Sequence, residues 1–281
     1  MSQLEQLQII AKKMFRGKLR GEKRSRKLGQ SVEFHDFRQY MPGDDIRRID
    51  WNLYGRIERY FVKLFVEEED LTLYLLVDSS KSMSFGTPPK FDYARRLAAA
   101  LAYISLSNLE RVSVAVFDTD LGVIQRPTRG RSKFVHLFKI LEAQKADGKT
   151  SLVQAVAEFL ALKQAPGVVA IISDFLFPFP ARALSGLVGR GNQVALIQVL
   201  LPEEIKPELS GDLELLDSES GERVEVSMGS SVFKMYVERL AELQSELSRW
   251  AARTSSDYVL IPSGRDLTKA VLGDLRNRVI R

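Results

Sequence analysis

The chain has 281 residues, 45% of them hydrophobic and 27% charged, with no cysteine; this is an ordinary globular composition, long enough for one large domain or two small ones. Disulfides, thiolate zinc sites and cysteine nucleophiles are excluded, and the composition fits a reducing cytoplasm. The net charge of +5 is concentrated: nine Lys and Arg against Glu22 alone give residues 12–27 a charge of +8, and subtracting it leaves −3 for the rest of the chain.

In chain order, Leu4, Leu7, Ile10 or Ala11, and Met14 recur at three- and four-residue steps, predicting a short amphipathic helix that leads into the basic run. The opening MSQLEQLQIIAKKMFRGKLR has no continuous apolar segment before a small-residue cleavage site, so it does not read as a secretory signal. No apolar run approaches the ~20 residues needed to span a bilayer, and a cytoplasmic location is expected. The basic run at 12–27 is either a solvated arm or a contact for nucleic acid, acidic lipid or an acidic protein face. Residues 29–65 then mix aromatics with charge; MPGDD marks a turn, with Asp44 or Asp45 placed to cap the following IRRIDW.

From Leu71 the pattern alternates. LTLYLLV, RVSVAVF, VVAIIS, QVALIQVL and DYVLI are aliphatic runs of strand length. Between them lie the helical stretches FDYARRLAAALAYISLSNL, RSKFVHLFKILEAQ, SLVQAVAEFLALK and FKMYVERLAELQSELSRWAART, and a last helix is expected over RDLTKAVLGDLRNRVIR. Near-continuous hydrophobicity in the strands implies helices on both faces, hence an α/β, doubly wound, mostly parallel sheet. RVSVAVF and LGVIQ, joined by DTD, are close enough for a hairpin that adds one antiparallel strand. A second hairpin is expected in LELLDSESGERVEV with SESG as its turn, inserted near residues 210–228.

Ligands in such sheets gather beyond the carboxyl ends of the strands. Asp78 ends the first strand of the alternation, with Ser80 and Ser82 close behind; Asp174 ends another; Thr150 precedes a helix. Five oxygen-bearing side chains on one sheet edge, with no His or Cys among them, suit a hard cation such as Mg²⁺. Two hydroxyl ligands leave the cation's charge largely uncompensated, so it would attract a carboxylate from outside. Each residue also has a plain structural role open to it. Asp78 could form an Asx-turn, Thr150 or Ser151 could cap the next helix, and Asp174 could pair with an arginine.

Enzyme readings fare less well. A dehalogenase-type phosphatase wants a second carboxylate two residues after the first, where Ser80 stands. The GKT at Gly148 lacks the first glycine of a P-loop, which would be position 143, an alanine. A serine hydrolase needs a nucleophile elbow and a histidine, and the two histidines are His35 in the lead-in and His136 in a helical pattern. The chain is therefore not expected to be an enzyme. A metal-dependent phosphohydrolase using Asp78 stands as one alternative, and nucleic-acid or anionic-lipid binding through residues 12–27 as another.

Asp78-x-Ser80-x-Ser82, Thr150 and Asp174 resemble the metal-ion-dependent adhesion site of von Willebrand factor A domains. The lead-in sharpens the likeness. Phe34 to Trp51, with Arg38, Tyr40, Pro42-Gly43-Asp44-Asp45, Arg47 and Ile49-Asp50-Trp51, resembles the hallmark of the bacterial domain of unknown function 58 family. In that family the segment precedes an A-type domain whose first loop reads D-x-S-x-S-M, as Asp78 to Met83 do here. The resemblance covers roughly residues 29–281. It implies a family-specific lead-in at 29–70 and a von Willebrand A-like domain at 71–281 that carries the inserted hairpin, while the charge pattern sets off a basic amphipathic N-terminal arm at 1–28.

The likeness further implies a binding module and not a catalyst. Asp78, Ser80, Ser82, Thr150 and Asp174 would hold Mg²⁺, or another divalent cation such as Mn²⁺ or Ca²⁺. An Asp or Glu of a partner protein would complete the coordination. It also implies a MoxR-type AAA+ ATPase as partner and an adaptor role in protein remodelling or maturation. One departure stands out: where the family often has Gly-Gly-Thr, this chain has Gly148-Lys149-Thr150. A cation there either weakens metal affinity or helps hold an incoming carboxylate.

Overall fold

A computed structural model of the protein describes residues 32–67, 71–207, 211–216, 223–228, 230–276 and 278–279. The expected N-terminal helix, the basic run at 12–27 and the SESG turn lie outside these residues. The described chain falls into two compact units, one ending before Leu71 and the other running from it.

In the first unit, strands β1 (Val32–Gln39) and β2 (Phe61–Glu67) pair antiparallel, with helix α1 (Trp51–Ile57) in the connection. The turn before α1 is set by its carboxylates. Asp44 accepts from the Met41 amide at 2.9 Å and from Arg38 at 2.7 Å. These bonds hold its carboxyl below the usual aspartate range. The cap of the following 3-10 turn at Ile46–Arg48 is Asp45, which accepts from the Arg47 amide. Asp50 caps α1 by accepting from the Asn52 and Leu53 amides, satisfying two of the amides that a helix start leaves unpaired.

The second unit is built on six strands. They are β3 (Thr72–Asp78), β4 (Arg111–Phe117), β5 (Leu121–Arg129), β6 (Val168–Ser173), β7 (Gln193–Leu200) and, after a separate antiparallel hairpin of β8 (Gly211–Leu216) and β9 (Arg223–Met228), β10 (Asp257–Pro262). Their order is β10-β7-β6-β3-β4-β5, every pair parallel except β4 with β5. This is the doubly wound α/β sheet with one antiparallel edge strand that the sequence predicts.

Both faces of the sheet are covered, which is why the central strands carry almost no polar residue. Tyr74 and Leu76 of β3, Val169 and Ile171 of β6, and Leu196 of β7 pack under α4 (Leu152–Ala161), α5 (Ala181–Gly189) and α7 (Ser230–Thr254). The alternate residues, among them Leu75 and Val77, point the other way. That side carries α2 (Lys90–Ser107), whose Phe91, Ala94, Leu97 and Leu101 are buried, and α3 (Phe134–Glu142) against it.

Two elements differ from expectation. Helix α5 has no counterpart among the expected helices, because two glycines and the preceding FPFP obscure its period, yet Leu184 and Leu187 bury one face of it completely. The final helix expected over 265–281 is only a turn at Leu267–Lys269 running into a π-helical turn at Ala270–Asp274. Gly273 sits inside it, a poor helix former by about 1 kcal/mol relative to Ala. Packing decides the local shape: Ala270, Val271, Leu275 and Val279 are buried, and Arg265 pairs with Asp274. Among the described residues no helix is long and apolar enough to cross a membrane.

Candidate metal centre

The site follows from register. Strands β3 and β6 lie side by side with Val77 opposite Ile172, so Asp78 comes level with Ser173, and Asp174 follows at the same sheet edge. The chain after β3 turns into a 3-10 helix at Lys81–Ser84, placing Ser80 and Ser82 beyond the strand end. A parallel bridge between Ser80 and Gly148 brings the third segment alongside, with the Lys81 amide donating to the Gly148 carbonyl at 2.7 Å. Gly148 is needed there: a Cβ on it would lie 2.5 Å from the Asp118 side chain. Thr150 follows two residues on, half-buried, immediately before Ser151, whose hydroxyl caps α4.

Asp78 is wholly buried. Its Oδ1 accepts from the Ser80 amide at 2.8 Å, an Asx-type turn, and its Oδ2 accepts from the Ser173 hydroxyl at 2.6 Å. Among the described residues no ion pair reaches it. Burial, with the Asp174 charge added, pushes its carboxyl up to about 7 against the opposing hydrogen bonds of Ser173 and Ser80. Asp174 is also buried and is set by an unusual turn. Phe175 takes a φ of 53° in the left-handed region, the Leu176 amide donates to Asp174 Oδ1, and Gln198 of β7 donates to the Asp174 carbonyl. Left-handed backbone at a bulky residue is costly and concentrates at functional sites.

The two serine hydroxyls stand 3.1 Å apart. Two oxygens bound to one Mg²⁺ at ~2.1 Å and at right angles would be about 3.0 Å apart. The spacing of the two hydroxyls suits a small hard cation, and beside them the buried Asp78 carboxylate has no ion-pair partner among the described residues.

Asp78, Ser80, Ser82 and Asp174 gather at one strand edge, and the Thr150 segment is hydrogen-bonded to the first loop. The plain structural roles are also partly filled: Asp78 makes the Asx turn and Ser151 caps α4. Asp174 pairs with a lysine and not with an arginine. The ammonium of Lys90, with no exposed surface, donates to Asp174 Oδ2 at 2.8 Å and to Glu204 Oε1 at 2.7 Å. Glu204 lies on the short helix α6 (Pro202–Ile205). Lys90, Ser173 and Glu204 carry no sequence motif. The one available signal is a lysine opening a helix whose inward face is otherwise apolar. His136 bonds to Gln125 of the edge strand, so it does not join the cluster.

The family described as protein of unknown function DUF58 matches residues 36–246. An uncharacterized protein of Mycobacterium tuberculosis, Rv1480, is 27% identical over 270 residues, covering 94% of this chain and 84% of the relative. Among solved structures, the conserved hypothetical protein BatB of Bacteroides thetaiotaomicron aligns with a TM-score of 0.44 at 16% identity, over 72% of this chain and 95% of BatB. The SpRpn10 VWA domain aligns at 0.42 and 13% identity, over 72% and 93%. Likenesses this distant assign no residue its role.

Proposed function

The chain belongs to the DUF58 family, and from that premise we propose that it is a metal-dependent protein-interaction module. Asp78, Ser80, Ser82, Thr150 and Asp174 hold a divalent cation, Mg²⁺ in the first instance. Bound there, the cation supplies a positive centre that takes a carboxylate from outside the chain. The rest is done by the protein's own groups. Ser173 and the Ser80 amide fix the Asp78 carboxylate, while Lys90 and the Leu176 amide fix Asp174.

The observation that carries this reading is the buried Asp78 carboxylate, without a counter-ion among the described residues, beside two hydroxyls 3.1 Å apart. The exposed rim supports it: Lys81 and Lys149 give positive charge, and Phe85 and Leu176 give apolar surface, suiting an acidic side chain on a protein partner. Following the family resemblance, the partner is a MoxR-type AAA+ ATPase, and the chain acts as its adaptor in the cytoplasm during remodelling or maturation of other proteins.

The test is co-precipitation of the full chain with such an ATPase from the same organism, in Mg²⁺ and in chelator, repeated with Asp78→Ala. Binding that needs Mg²⁺ and is lost in the variant is expected. Binding indifferent to both would remove the metal bridge from the mechanism.

A further inference from the structure

Lys90 is placed where a lysine gains little. It is the first residue of α2, where the helix dipole disfavours a cation, and it is entirely buried. Replacing a buried ion pair by apolar residues is often neutral or stabilising, so the needs of the fold do not account for it. Its two partners come from separate elements. Asp174 belongs to the metal centre. Glu204 is held by a second bond, its Oε2 accepting from the Leu201 amide at 2.8 Å.

The charges explain the arrangement. Asp78 and Asp174 together match one divalent cation. A lone ammonium on Asp174 would cancel half of that match, and Glu204 restores it. We propose that Lys90 and Glu204 set the cation affinity of the Asp78–Asp174 centre, Lys90 lowering it and Glu204 raising it by offsetting Lys90. Lys90 is also a positioning residue, since it fixes Asp174 Oδ2 when no cation is bound. The inference rests on the metal reading above and adds a sign for each residue.

The experiment is a titration of the full chain with Mn²⁺, followed by the loss of the free-ion paramagnetic signal and by competition with Mg²⁺. Wild type, Lys90→Met, Glu204→Gln and the double variant are compared, with circular dichroism reporting the fold. Changes in groups around metal ligands typically move affinity by 10–100-fold. Lys90→Met should tighten Mn²⁺ binding by roughly tenfold, Glu204→Gln should weaken it several-fold, and the double variant should fall between them.

Opposite signs are the signature, because mere damage weakens binding in both. If Lys90→Met does not fold, Glu204→Gln decides: unchanged or tighter binding overturns the inference. Wild-type binding with both single variants weaker, or both unchanged, overturns it while leaving the metal reading intact. No Mn²⁺ bound by wild type or by Lys90→Met overturns both. Binding by Lys90→Met alone supports the inference.

Discussion

Replacing Asp78 by Asn should flatten the decline of stability with pH in the metal-free protein. The Asp78 carboxyl is raised from an ordinary 3.8 to about 7, so the fold binds its proton more tightly than the unfolded chain does. A raised acid favours the fold fully below the unfolded value, loses that advantage as pH climbs towards 7, and changes little above it. Between about pH 5 and about pH 8 the linkage amounts to roughly 2–3 kcal/mol of lost unfolding free energy.

Glu110 follows the same course. Burial pushes it up to about 7 against a hydrogen bond from the Ser105 hydroxyl, so the wild-type slope alone is ambiguous. The contrast between wild type and Asp78→Asn isolates Asp78. The assay is urea unfolding at the two pH values in chelator. Wild type should lose roughly 2–3 kcal/mol more than the variant. Equal losses would refute the reasoning, because they would mean that Asp78 keeps an ordinary pKa in the fold.

Three further outcomes follow from the structure. Glu110→Gln should remove a pH slope of similar size while leaving Mg²⁺ binding unchanged, since Glu110 stands just before β4, at the opposite end of the strands from the proposed metal centre; urea unfolding and Mn²⁺ titration check the two halves. Gly148→Ala should force the 148–150 segment away from Asp118, costing about 1–3 kcal/mol and weakening cation binding, as read by thermal unfolding with and without Mg²⁺. Asp50→Ala should cost about 1 kcal/mol by leaving the Asn52 and Leu53 amides uncapped, seen as faster hydrogen exchange in α1 with β3 and β6 unchanged.

What the sequence made legible follows from how directly each feature is written in it. Strands β3 and β6 are nearly continuous apolar runs because both their faces are covered, and their ends deliver Asp78 and Asp174 to one edge. Ser80 and Ser82 stood out because they alternate behind Asp78, and Thr150 because it stands just before a helix at the same sheet edge. Lys90 and Glu204 could not, because 114 residues separate them and they meet only through the packing of α2 and α6 around the strand ends. Ser173 was hidden inside the VVAIIS run, where a small polar residue next to Asp174 reads simply as the end of the strand. The last helix failed for a related reason: a helical period in LTKAVLGDL does not reveal that burying Ala270, Val271 and Leu275 suits a π-helical turn.

The central claim is that a divalent cation binds the folded chain through Asp78. It is tested most directly by the thermal midpoint of wild type and Asp78→Ala, each in millimolar Mg²⁺ and in chelator. A ligand at a hundredfold excess over its Kd adds about 2.7 kcal/mol to the fold, roughly 5–10 °C for a domain of this size. Wild type should show such a rise in Mg²⁺ and Asp78→Ala none. A wild-type midpoint that ignores Mg²⁺, or an equal rise in the variant, would contradict it.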